Sequence, residues 1–416
     1  MEIKLEICKA VKEIALMKIL IVDASWYGGG AETIARELYG HLSKKGHVVK
    51  FAFARGDIPT DVDTIKIGSM LDVCIQCAQT RLYDACGFGV DFSTRKFIKD
   101  IEVFNPDIIS LHNLSGYYLN INTLFKYLSR TNRKVFWTFH DCWAFTGHCL
   151  FFDAFSCDKW KSGCGKCPAK KEYPTCLGIE RSHANYKKKE RLFSKLNNIT
   201  IVSPSFWMDS FIEQTYLKKY KHYVIPNGID LQKFHPIYSD VKIINKIQNK
   251  KIILGVASRW DLRKGLLYFS KLSQIVNDDK YKIVLVGVDK QQQQELPSNI
   301  LCIDRTNSVE ELIEWYTAAD VFVNPTLADN FPTVTLEALA CGTPVVTFNT
   351  GGSWEAVGEE CGELVKLKTT DSLYKAVEKC CDRSISKEIC VRKASLYAKE
   401  KRYDEYEKLF IESLES

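Results

Sequence analysis

Short apolar runs recur along almost the whole chain, each separated from the next by a stretch of helical periodicity, and this rhythm restricts the fold more than any other feature. In the first half the runs are Lys18–Ser25, Val48–Ala54, Asp107–His112, Val135–His140 and Ile199–Ser203. In the second they are His222–Pro226, Ile252–Ala257, Lys282–Gly287, Asn299–Asp304, Val321–Pro325 and Pro344–Asn349. Runs that are apolar throughout belong to strands buried on both faces, the condition of a parallel sheet covered by crossover helices. Eleven such strands exceed one modest open sheet, and 416 residues allow two or three domains of roughly 150 residues. The pattern predicts an α/β chain of two doubly wound, Rossmann-like domains facing across a cleft. The first would span 1–205, the second 206–395, with the division between Ser203 and Pro226. Residues 396–416 read as one amphipathic helix, and 143–180 as a long insertion that breaks the rhythm.

Composition narrows the function. Hydrophobic residues at 46% and charged residues at 26% exclude disorder, collagen and coiled coil as the main state. The net charge of +6 is too weak to argue for a nucleic-acid partner. The longest strongly apolar stretch, Ile14–Val22, is interrupted by Lys18 and falls short of the roughly 20 residues of a membrane span. Lys4, Glu6, Lys9, Lys12 and Glu13 deny the N-terminus the apolar centre of a secretory signal, so a cytoplasmic location is expected. The first sixteen residues, ahead of Met17 and the first strand, are either an additional amphipathic helix or a consequence of where the start was chosen.

In doubly wound sheets ligands bind beyond the carboxyl ends of the strands, so polar motifs at strand ends are the candidates. Gly28, Gly29 and Gly30 follow the first strand and open a helix. Bare backbone there lets a ligand approach, and a helix N-terminus favours an anion. Arg259 and Lys264 follow the strand Ile252–Ala257, where two cations suit a diphosphate and the charge that develops as a nucleotide leaves. The run Asp329-Asn-Phe331-Pro332-Thr333-Val334-Thr-Leu-Glu337 follows Val321–Pro325. Pro332 has no N–H, which leaves Thr333 and Val334 as free donors at the helix start. Glu337, just over one turn in, leans back toward that start and could accept from a ribose diol, while Asp329 could hold a sugar hydroxyl. His140, beside Asp141 at the end of a buried strand, faces the cleft and could donate to a sugar hydroxyl or to a main-chain carbonyl.

These residues resemble a family 4 glycosyltransferase of the GT-B fold, in the branch that builds bacterial surface and capsular polysaccharide. The resemblance is carried by GGGAE, TFHDCWAFTGHC, IPNGID followed by Phe234, ASRWDLRKG and DNFPTVTLEALACGTPVV, and spans about residues 17–400. It implies a retaining transfer of sugar from a UDP- or GDP-linked donor to a glycan or lipid-linked acceptor. Arg259 and Lys264 would contact the donor diphosphate, Glu337 the ribose, Thr333 and Val334 the phosphate. His140 and Asp329 would lie at the transferred sugar, Phe331 on the donor side, and Gly28 to Gly30 beside phosphates and acceptor. Asp329 stands where relatives more often carry Glu, and Pro332 where many carry Gly. Catalysis would need no cofactor or metal, and no D-x-D motif stands in a matching place. The final helix would cross back to the N-terminal domain. A sugar-nucleotide epimerase on the same scaffold, or a non-catalytic zinc-stabilised binding module, are the alternatives.

Sixteen cysteines are too few for a disulfide scaffold, and in the cytosol most should be reduced. Cys149, Cys157, Cys164 and Cys167, however, end in a C-x2-C with Gly165 between, the spacing of a metal knuckle. A structural zinc is expected there, fastening an acceptor-side loop. The pair Cys74 and Cys77 is expected to pack. Lys187, Lys188, Lys189 and Arg191 with Tyr186 and Leu192–Phe193 read as a basic amphipathic helix able to rest on an anionic membrane.

Overall fold

A computed structural model describes residues 16–415; the expected N-terminal helix lies outside them. The first sheet consists of β1 (Lys18–Val22), β2 (Val48–Phe53), β3 (Thr64–Lys66), β4 (Ile108–Leu111), β5 (Lys134–Thr138), β6 (Ile199–Ser203) and β7 (Lys221–Val224), in the order β3-β2-β1-β4-β5-β6-β7. The second consists of β8 (Lys251–Val256), β9 (Tyr281–Val286), β10 (Leu301–Ile303), β11 (Val321–Asn324), β12 (Val345–Phe348) and β13 (Gly362–Val365), in the order β10-β9-β8-β11-β12-β13. Every pairing in both sheets is parallel. Each order reverses once, between β1 and β4 and between β8 and β11, and these are the switch points where such sheets hold ligands.

The central strands are buried throughout, Ile108–Leu111 and Val321–Asn324 in full, as the apolar runs require. The two strands without a sequence signal, β3 and β13, are edge strands; β3 has three residues and no buried one. The division between domains falls later than 205. The run around His222 forms β7, which pairs with β6 at the edge of the first sheet, Thr200 opposite Lys221. The first sheet therefore ends at Val224. As an edge strand β7 exposes alternate residues, which left its allegiance open to either domain.

The last helix, Lys399–Glu415, lies on the first domain. Tyr403, Tyr406 and Phe410 are buried in one cluster with Ile34, Leu38 and Phe136, and Phe410 packs 4.6 Å from Phe136, centroid to centroid. Tyr406 Oη and Thr138 Oγ1 are 3.2 Å apart, and Glu407 meets the buried His47 at 3.0 Å. Where the chain crosses, Ile229 N donates to Tyr397 O and Lys399 N donates to Ile229 O. No helix among the described residues is long and apolar enough to cross a membrane.

Candidate active site

The two switch points face each other across a cleft of about 550 Å³, within the usual range for a small-molecule site. The loop after β1 brings Gly28, Gly29 and Gly30 to its floor, and the end of β5 brings His140 and Asp141. From the other side come Lys264 on the loop after β8, and Asp329, Phe331, Thr333, Val334 and Glu337 on the loop and helix after β11.

The helix Gly30–Lys44 begins at the glycines because Glu32 folds back: its Oε2 accepts from Gly29 N at 3.0 Å, a capping interaction. A methyl group added at Gly30 would come 3.5 Å from Thr333 Oγ1, so the glycine loop lies directly across from the start of the helix Thr333–Ala340. Pro332 precedes that helix with φ −68° and leaves the donors of its first turn facing the cleft. Gly265, which opens the next helix, has φ +81°, and a Cβ there would strike Pro325 O at 2.2 Å; only glycine lets Lys264 stand this close to the end of β11.

Charge in the cleft is arranged in opposed groups. Lys264 Nζ donates to Asp329 Oδ2 at 2.6 Å, and Arg263 Nη1 lies 3.8 Å from the same oxygen. Burial pushes the Asp329 carboxyl up, but the two cations outweigh it and hold it below the ordinary carboxylate value. Glu337 has no salt bridge among the described residues, only the more distant attraction of Lys233. Burial raises its carboxyl to about 7, opposed by the bond that Tyr316 Oη donates to Oε2 at 2.9 Å. Burial likewise lowers His140 to about 4 and raises Asp141 to about 6. His140 is therefore a neutral imidazole at pH 7, and its Nε2 lies 3.0 Å from Nδ1 of the buried His112, whose Nε2 is 3.2 Å from Ser110 Oγ. This chain fixes the ring that faces the cleft.

Most of the predicted residues thus meet in one place, and Arg259 does not. Its side chain is exposed and outside the cleft wall, because the neighbouring Trp260 is buried and donates Nε1–H to Val286 O at 2.9 Å, turning Arg259 outward. Arg263 stands beside Lys264 instead, donating to Ala328 O at 2.9 Å and lying over the Phe151 ring at 5.2 Å. Sequence reasoning also passed over Asn330, which ties the domains together: Nδ2 donates to Phe139 O at 2.8 Å and Oδ1 accepts from Ser205 Oγ at 2.5 Å. His112 could have been found by the rule that singled out His140, a polar residue ending an apolar strand.

The expected basic face is only partly present. Lys189 is buried, donating to Trp143 O and Thr146 O at 2.7 and 3.1 Å over the Trp143 ring, and Lys187 pairs with Glu190 at 3.0 Å. Lys188 and Arg191 remain outward. Cys77 packs against the core, whereas Cys74 is exposed. Among the described residues, no three of the insertion thiols Cys149, Cys157, Cys164 and Cys167 have their sulfurs within 4.8 Å of one another. The one group that does meet that spacing, His41, Asp404 and Glu407, already surrounds a cation, since Lys45 Nζ lies 2.9 and 3.6 Å from the two carboxylates.

Two facing doubly wound domains with a cleft between the carboxyl ends of their sheets have the architecture of the GT-B fold. Residues 28–233 match the profile of Glycosyltransferase Family 4, and residues 250–383 that of the group 1 glycosyl transferases. The Escherichia coli (strain K12) protein named for colanic acid biosynthesis, the glycosyl transferase WcaC, is 26% identical over 369 residues, 84% of this chain and 87% of its own. An Escherichia coli UDP-Gal:alpha-D-GlcNAc-diphosphoundecaprenol alpha-1,3-galactosyltransferase is 28% identical over 42% of this chain and 49% of its own. In fold, the chain is similar to Anabaena Alr3699/HepE in complex with UDP-glucose, with TM-score 0.66 at 14% identity, covering 96% of this chain and 99% of that one. This chain is a family 4 glycosyltransferase of the GT-B fold. The alternatives of an epimerase and of a binding module gain nothing from these likenesses.

Proposed function

We propose that this enzyme moves a sugar from a UDP- or GDP-linked donor to a glycan or lipid-linked glycan in surface polysaccharide synthesis, with retention of anomeric configuration and without a catalytic metal. The observation that carries the reading is the convergence of Lys264, the Thr333 and Val334 amides and the buried Glu337 on one cleft. The diphosphate would take Lys264 and Arg263 from Asp329, freeing that carboxylate for a hydroxyl of the transferred sugar. Glu337 would accept from the ribose, and His140 would serve the sugar or the main chain beside it. Barrier lowering would come from positioning and from stabilising the leaving diphosphate, the leaving phosphate itself taking the acceptor's proton.

The acceptor would enter through a second cavity of about 290 Å³ that shares Glu32, Asn113 and Leu150 with the cleft and adds Arg55 and Tyr173. Support for a membrane-borne acceptor comes from an outward patch in which Leu177 N and Ile179 N donate to Arg81 O and Leu82 O, with Leu82, Leu177 and Ile179 all exposed. Arg81 and Arg181 flank it, the pairing of apolar and basic groups that suits an anionic lipid surface. Flotation with anionic vesicles tests that contact; no binding would remove it. The activity is tested by incubating the chain with UDP- and GDP-sugars and undecaprenyl-diphosphate-linked sugars in the presence of EDTA. An α-linked product from an α-linked donor is expected; an inverted product, or one that requires divalent metal, would contradict the mechanism.

A further inference from the structure

His148 is wholly buried, and its ring is held from one side only. Nδ1 lies 2.5 Å from Oδ1 of the equally buried Asp84, while Nε2 has no hydrogen-bond partner. Asp84 is itself fixed, its Oδ2 accepting from Arg181 N at 3.0 Å. An imidazole whose Nδ1–H is donated to a carboxylate offers a lone pair at Nε2, and leaving that atom unpaired in the interior is unfavourable. The same carboxylate–histidine arrangement orients imidazole ligands in metal centres.

Cys167 lies within electrostatic reach of His148, and Cys149 follows that histidine in the chain. Cys149 and Cys167 are neighbours that act on each other, Cys149 lies within electrostatic reach of Cys164, and Cys164 within that of Cys167. Gly147 N donates to Cys164 Sγ at 3.2 Å, an interaction that favours sulfur as an anion. Between Cys164 and Cys167 the chain turns with φ of +53° at Cys164, +124° at Gly165 and +47° at Lys166. We propose that this pocket binds one zinc ion through Nε2 of His148 and the thiolates of Cys149, Cys164 and Cys167. The set is a nitrogen and three sulfurs, a closed tetrahedral donor set with no open position for chemistry. Since no three of the four donors lie within 4.8 Å of one another, the ion must draw both Cys164 and the His148 ring in toward Cys149 and Cys167.

The balance of charge is provided for. Binding releases three thiol protons to solvent and leaves a site of net charge −1, and the buried Lys189 ammonium lies within reach of Cys164. Cys149 immediately precedes Leu150 and Phe151, which line the cleft wall, with Phe151 beneath Arg263. The ion would therefore fix the wall against which the donor-side cation rests. Cys157, which neighbours Cys164, is outside the set.

The test uses the full chain, reduced and freed of metal by a chelator, and titrated with Co²⁺ and then Zn²⁺. One equivalent should bind, with the visible absorption of tetrahedral cobalt and thiolate charge transfer, and should be displaced by zinc with a rise in melting temperature. Cys157→Ser should keep the metal. His148→Ala should lose the tetrahedral spectrum, and Asp84→Asn should weaken affinity about 10–100-fold. Absence of stoichiometric binding by the folded wild-type chain would overturn the proposal. So would retention of the metal by His148→Ala with its loss in Cys157→Ser, since that describes a four-thiol site. Because wild-type stoichiometry is read first, a variant that fails to fold does not decide the matter.

Discussion

Two carboxylates on the same loop and helix are held in opposite states, and the difference sets what each can do. Asp329 is kept ionised by Lys264 at 2.6 Å, whereas Glu337, buried without a cation against it, holds its proton up to about 7. To accept from a ribose diol Glu337 must be ionised, so nucleotide affinity should rise with pH and level off above about 7. Below that value it should fall up to tenfold per pH unit. Stability of the unliganded chain should move the other way. With the folded value raised above the ordinary 4.5, the contribution is fully present below pH 4.5 and is lost as pH rises through about 7. Glu337→Gln should flatten both profiles; calorimetric titration of nucleoside diphosphate between pH 5.5 and pH 8.5 checks the first, and melting curves the second. An unchanged binding profile in the variant would remove Glu337 from the ribose.

At the scale of elements, the helix Lys399–Glu415 is the clearest case of a distant segment completing a domain. Its sequence is rich in Lys and Glu, yet Tyr403, Tyr406 and Phe410 form an inward stripe sealed against the first sheet's helix layer. Phe410→Ala should cost about 3–5 kcal/mol, visible as a lower urea midpoint with little change in the slope. The strand rhythm was readable because β1, β4, β8 and β11 lie at the centres of their sheets and are mostly apolar and buried. Two of the four edge strands were not: β3 and β13 need no continuous apolar run, while β7, though visible, could be placed only by knowing its partner. The same limit applied to charged residues. Lys189 reads as one of four cations on a solvent face, but its stem and ammonium are taken up by Trp143 and two carbonyls. Arg259 and Arg263 are equally basic in sequence, and it is the buried Trp260 between them that decides which faces the cleft. Spacing found most of the site because strand ends and helix starts are local; which side chain turns inward depends on packing from afar.

Over the whole molecule, the cleft exists only because the two sheets present their carboxyl ends to each other, and few direct bonds hold them so. Asn330 is the most central, reaching Phe139 O with one end and Ser205 with the other. Asn227 Nδ2 adds a bond to Phe331 O at 2.8 Å, and Glu355 receives Phe206 N and Trp207 N at 2.9 and 2.8 Å. Asn330→Ala should therefore open the unliganded enzyme, with a larger radius of gyration by small-angle scattering that nucleotide restores, and with weaker nucleotide binding. An unchanged radius would mean that the other contacts alone set the closed state.

In the function proposed, the facing switch points form one nucleotide-sugar cleft whose diphosphate end is Lys264. Calorimetric titration of UDP and GDP into the wild-type chain and into Lys264→Ala tests it most directly. One nucleoside diphosphate should bind per chain, one base being preferred, and binding should weaken by about 10²-fold or more in the variant while the melting temperature is retained. Absence of binding by the folded wild-type chain, or equal binding by Lys264→Ala, would contradict it.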